Sequence, residues 1–145
     1  MLMLCTVLPI LNMEMIILKE QLSFPKGATS FFQNVPAEAL NKRYGDKLNS
    51  SENIWAFIEG SEKPDEVIVV SAHYDHVGVK NGDVYNGADD DGSGTVALLE
   101  IAQAFEIAKK EGHGPKRSIL FFHATGEEHG LLGSSYYSEH PLFPF

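Results

Sequence analysis

The chain has almost no cysteine and few cations. Its one cysteine, Cys5, cannot close an internal disulfide and reads as a small apolar residue. Lys and Arg number 11 against 20 Asp and Glu, a formal charge of -9. No basic cluster interrupts that excess, so nothing is arranged to hold a phosphate backbone, and nucleic acid is excluded as an expected partner. Long apolar runs are also missing. The opening Met1–Leu11 is apolar, but Pro9 breaks it, Asn12 and Glu14 follow closely, and it falls short of the ~20 residues of a membrane span. It lacks the basic start and the small-residue cleavage site of a good signal peptide, which leaves an internal start and a degraded export signal both open. No stable membrane span is expected, and the composition does not address oligomeric state.

What is present suits one domain: 145 residues with 43% hydrophobic content can bury roughly two thirds of the unfolded surface. Residues 1–50 form a segment without visible chemistry; it contains a turn at Ser23–Gly27 and the first turn of a short helix at Pro36–Leu40. Apolar runs at Ile54–Glu59 and Val67–Ala72 predict two strands, the second β-branched and apolar on both faces like an interior strand of a parallel sheet. Glycines and asparagines make 77–88 an irregular loop. A helix follows over 93–111, with Ser93 as its N-cap and Ala97, Leu98, Ile101, Ala102, Phe105 and Ala108 as its inner face. Gly112, Gly114 and Pro115 end it, Ser118–Phe122 forms a third strand, and a last helix covers 131–139. The expected class is α/β: a mixed, largely parallel central sheet flanked by helices, with helix 93–111 crossing between parallel neighbours.

Three short motifs carry the chemistry: His73-Tyr74-Asp75-His76, Gly87-Ala88-Asp89-Asp90-Asp91-Gly92-Ser93-Gly94 and Gly126-Glu127-Glu128-His129-Gly130. They supply imidazole, carboxylate and a paired Glu, the ligand types a zinc-like ion takes, with one carboxylate spare as a base. Three adjacent aspartates repel one another unless a cation or hydrogen-bond donors offset them. The crossover topology would bring all three motifs to one rim, beyond the carboxyl ends of the strands. Adjacent glutamates on an extended segment point to opposite sides, so one can bind metal while its neighbour handles a proton. Asp75, two residues from His73, could accept the imidazole N–H and set its tautomer.

These blocks, taken with Ser71-Ala72 before the first and Leu131-Leu132-Gly133-Ser134 after the last, resemble the co-catalytic zinc peptidases of the bacterial leucyl aminopeptidase and glutamate carboxypeptidase type over about residues 52–140. The resemblance implies a metal-dependent hydrolase of peptide bonds that holds two zinc ions and acts on peptides or proteins with a free N-terminus. By position it implies that His73 ligates one metal, Glu128 the other, Asp90 bridges both, Glu127 is the general base and Asp75 supports His73. It also implies a cis peptide bond at Asp90-Asp91 and a secreted or periplasmic setting. The family draws a further Asp and His from downstream segments that do not occur before Phe145. The expectation is therefore that 51–145 is the N-terminal part of a catalytic domain that continues, with each ion short of one ligand.

Rival readings come from the same residues. Asp89 to Glu100 satisfies the EF-hand loop pattern, although 77–88 is a poor entering helix and no partner loop exists. A glutaminyl-cyclase-like acyl transferase uses the same scaffold, and so would a metal-free binding module. His76, His123, His129 and His140 could line the site, yet a structural histidine is the commoner role for each. Trp55, Phe121 and Phe122 read as core.

Overall fold

The structure, a computed structural model, describes residues 28–41 and 50–141. Met1–Leu11, Cys5, the turn at 23–27 and the end after Pro141 lie outside the described residues. In chain order the elements are β1 (Ala28–Val35), α1 (Ala37–Asn41), β2 (Ser51–Ile58), β3 (Lys63–His73), β4 (Val79–Lys80), β5 (Asp83–Val84), α2 (Ser93–Lys110), β6 (Arg117–Ala124) and α3 (Leu132–Glu139).

The main sheet runs β1-β2-β6-β3. β3 and β6 are parallel, as expected of strands joined by a crossover helix, while β1/β2 and β2/β6 pair antiparallel. The architecture is thus the mixed α/β sheet with flanking helices. Residues 28–41 belong to it: Val35 and Leu40 bury themselves against Leu132 of α3, with Ala39 and Tyr136 alongside. No described helix is long and apolar enough to cross a membrane.

Strand alternation splits the core between the two faces of the sheet. On one, Ile58, Ala72, Ile119 and Phe121 meet Leu98 of α2, with Val70, Ala102 and Phe105 closing the edges. On the other, Trp55 stacks on Phe122 at 3.8 Å and 3°, and both pack with Leu120, Ala124 and Tyr137 of α3. The helix stripe was expected to include Ile101, but that residue is 39% exposed. The reason is position: α2 rests chiefly on β3, the outer strand of the described sheet, so one flank overhangs.

That placement also corrects the reading of β3 as an interior strand covered on both faces. Val67 and Val69 are 38% and 45% exposed, because they alternate away from α2 while α3 covers β2 and β6 instead.

His123, on β6, is a buried histidine of the α2 side. Burial pushes its pKa down to about 4, with the Asp91 charge opposing the shift. A depressed histidine pKa makes the neutral form the folded one, so its stability contribution is intact above the unfolded value near 6.5 and drains away as pH falls toward 4. Between neutral pH and pH 5 the loss should be about 2 kcal/mol. Urea unfolding of the wild type and of His123→Gln at both pH values checks this; equal pH slopes for the two proteins would disprove it.

Candidate functional site

The parallel register aligns His73 with Ala124, so the chains leaving β3 and β6 emerge on one rim, and Tyr74 N–H bonds Ala124 O at 3.1 Å there. Between them, 77–88 is not wholly irregular: β4 and β5 pair across a tight Asn81-Gly82 turn in which both residues have positive φ (55° and 90°). This hairpin stands where an EF-hand needs its entering helix, which rules out that reading. The Asp turn, 88–92, then feeds directly into α2 and contains a cis peptide at Asp90-Asp91. Ser93 is the first helical residue rather than a side-chain cap; its hydroxyl donates back to Asp89 O at 3.2 Å.

His73 is held on every side. Its main-chain N–H donates to Asp91 Oδ2 at 3.1 Å and its carbonyl accepts from Thr95 Oγ1 at 2.7 Å, which ties the end of β3 to the first turn of α2. Its ring places Nδ1 3.0 Å from the Asp75 main-chain O and Nε2 2.9 Å from Asp90 Oδ1. A carbonyl oxygen only accepts, so Nδ1 carries the hydrogen. In the neutral ring, the bare Nε2 therefore faces a carboxylate oxygen, lone pair against lone pair. Only a proton or a cation relieves that contact. Burial is the largest influence on this imidazole and disfavours its charge, but the bonds to Asp90 and the Asp75 carbonyl and the charges of Asp75 and Glu127 together raise its pKa above the usual value.

The Asp75 carboxylate does not take the imidazole N–H as expected: its Oδ1 lies 3.8 Å from Nδ1. It is engaged elsewhere, accepting the main-chain N–H groups of Glu127 at 3.0 Å and Glu128 at 3.2 Å. Two N–H donors converging on one carboxylate form charge-assisted bonds that a single imidazole at that distance cannot match. Asp75 is a clamp on the glutamate loop. Asp75→Ala should free the amides of Glu127 and Glu128, raising their hydrogen exchange and weakening zinc uptake by about 10–100-fold; unchanged exchange at both amides would refute the clamp.

The clamp leaves the two glutamates diverging. Glu127 Oε2 lies 3.8 Å from His73 Nε2, with its side chain 35% exposed. Glu128 is turned inward, its Oε1 2.8 Å from His76 Nδ1. Among the described residues no three His, Cys, Asp or Glu side chains converge as one ready ligand group. His73, Asp90 and Glu128 thus do not gather around a single space; instead two pairs stand on the rim, His73 with Asp90 and His76 with Glu128. The donor set still suits a metal ion: imidazole nitrogen and carboxylate oxygen, with lone pairs facing each other across 2.9 Å in the first pair.

Behind the loop lies a residue that sequence reasoning passed over. Asn53 is fully buried and joins Gln33, Thr125 and Gly133 by hydrogen bonds. Asp91 and Thr95, which anchor His73, were also missed as individuals. Their position inside or just after the Asp triplet was the available signal, whereas nothing marked Asn53.

The family model for peptidase family M28 matches residues 53–144. The chain belongs to that family. A probable glutamate carboxypeptidase of Arabidopsis thaliana is 38% identical over 88 residues, covering 61% of this chain and 12% of the relative. A probable zinc metalloprotease of Pyrenophora tritici-repentis is 40% identical over 93 residues, covering 60% and 18%. Among solved structures, LapB from Legionella pneumophila superposes with a TM-score of 0.54 at 29% identity, covering 86% of this chain and 29% of that one. BSAP, a zinc aminopeptidase from Bacillus subtilis, gives 0.50 at 33% identity, covering 65% and 21%. The chain therefore spans less than a third of the length of each of these proteins.

Proposed function

We propose that the protein is a zinc-dependent peptidase that removes residues from a free peptide N-terminus, using two ions held on the rim described above. The observation that carries this reading is the His73–Asp90 contact, an imidazole nitrogen and a carboxylate oxygen 2.9 Å apart, which a shared proton or a bound cation holds together and whose donor types suit zinc. His73 and Asp90 would hold one ion, and Glu128 the other. Zinc so bound polarises a peptide carbonyl and lowers the pKa of water to near 7.

The chain's own groups supply the remainder. Glu127, partly open to solvent and within 3.8 Å of His73, receives the proton of the attacking water and returns it to the departing amine. Asp75 keeps that carboxylate on the His73 side by fixing both glutamate amides. Asp89 is exposed beside the site, and its charge favours a cationic substrate terminus over a carboxylate one. The naming of BSAP as a zinc aminopeptidase supports the same direction.

The test is a metal titration joined to a substrate pair. Zinc added to metal-free protein should bind and switch on cleavage of an aminoacyl anilide, while the N-acetylated anilide stays intact. Equal cleavage of both would remove the free-amine requirement, and cyclisation of an N-terminal glutamine without cleavage would favour acyl transfer. Absence of zinc uptake would overturn the metal centre.

A further inference from the structure

One buried pair is left over once His73, Asp75, Asp90 and Glu127 have been accounted for. His76 Nδ1 and Glu128 Oε1 stand 2.8 Å apart, with side chains only 12% and 16% exposed. Both atoms are sealed from solvent, yet neither has a hydrogen-bond partner among the described residues, because the two are misaligned for bonding to each other. An unpaired buried imidazole nitrogen and an unpaired buried carboxylate oxygen each cost free energy, and here the two stand side by side. We infer that His76 is a metal ligand, binding through Nδ1 the ion that Glu128 holds. The inference rests on the zinc reading above and adds to it a ligand that none of the sequence motifs assigned.

Three observations support a ligand over a passive neighbour. The separation falls only a small opening short of that of two atoms sharing one ion: ligands at 2.0–2.1 Å from a tetrahedral zinc lie roughly 3.3–3.4 Å from each other, against 2.8 Å here. The ring is also pinned. A Cβ on Gly87 would come within 2.7 Å of His76 Cγ, so the imidazole rests on the main chain entering the Asp turn and cannot swing away from Glu128 in that direction. Lastly, the arrangement repeats: His73 and His76, three residues apart, each oppose a carboxylate from a different motif, Asp90 and Glu128, at 2.9 and 2.8 Å. Imidazole nitrogen and carboxylate oxygen are both ligand types that zinc takes.

The experiment compares the wild type, His76→Ala and His76→Asn by competitive zinc titration and by zinc K-edge absorption spectra. Asparagine keeps an N–H donor near the position of Nδ1 but is a poor zinc ligand, so it separates coordination from hydrogen bonding. The expected result is that both variants lose at least about 100-fold in affinity for one of two ions, and that the spectra lose one imidazole per protein. Rescue of affinity by His76→Asn, with the imidazole count unchanged, would make His76 a donor that positions Glu128 and would overturn the inference. Wild-type affinity in His76→Ala would overturn it outright while leaving the zinc reading intact. If the wild type itself takes up no zinc, the proposed function fails and this inference with it.

Discussion

Glu127→Ala in the zinc-loaded protein is expected to lower peptide turnover by about 10²–10⁴-fold with bound zinc unchanged. The two glutamates are adjacent in sequence but differ in environment, and that difference drives the expectation. Glu127 is 35% exposed and reaches to within 3.8 Å of His73 Nε2, where a water attacking a bound carbonyl would pass. Glu128 is 16% exposed and faces His76. Because Asp75 fixes both amides, removing one side chain leaves the other where it was. Glu128→Ala should therefore show the opposite signature, with zinc stoichiometry falling and activity lost as a consequence. Steady-state rates beside metal analysis of both variants separate the roles; a Glu127→Ala protein that turns over normally would discard the base assignment, and one that loses zinc would make Glu127 a ligand.

The second large effect lies behind the site. Asn53→Ala should cost about 3–5 kcal/mol, because it strands several buried groups at once. Its Nδ2 donates to Gln33 Oε1 at 3.0 Å and to Gly133 O at 2.8 Å, and its Oδ1 accepts from Thr125 N at 3.2 Å. Those partners come from β1, the start of α3 and the end of β6, so one side chain closes three elements around the base of the glutamate loop. The main chain packs closely against this side chain: a Cβ on Gly133 would lie 2.3 Å from Thr125 O and 2.4 Å from Asn53 Oδ1. Chemical denaturation measures the loss, and a cost below about 1 kcal/mol would show that water or relaxation replaces the network.

Much of the arrangement was legible before any coordinates. Val67–Ala72 and Ser118–Phe122 announce strands by β-branched and aromatic runs, and the 93–111 periodicity announces the helix between them; a long helix between two strands calls for a parallel pair. The limits appeared where neighbours decide. β1 lay in a stretch with no clean alternation, and its place in the sheet comes from pairing with β2 along eight residues. The exposure of Val67 and Val69 follows from where α2 and α3 happen to rest, which no local pattern encodes.

The site divides along the same line. Residue types and spacing pointed to the chemistry, since imidazole, aspartate and paired glutamate are the ligand and base types that a zinc-like ion uses. Partners were decided only by the tertiary structure. Asp75 turned from its near neighbour His73 to amides 52 and 53 residues away, because two N–H groups offer its charge more than one distant ring. His76 was brought against Glu128, likewise 52 residues on, by the parallel register of β3 with β6. Hydrogen-bond partners depend on angles and fractions of an ångström between distant segments, and those distances exist only once the sheet has formed.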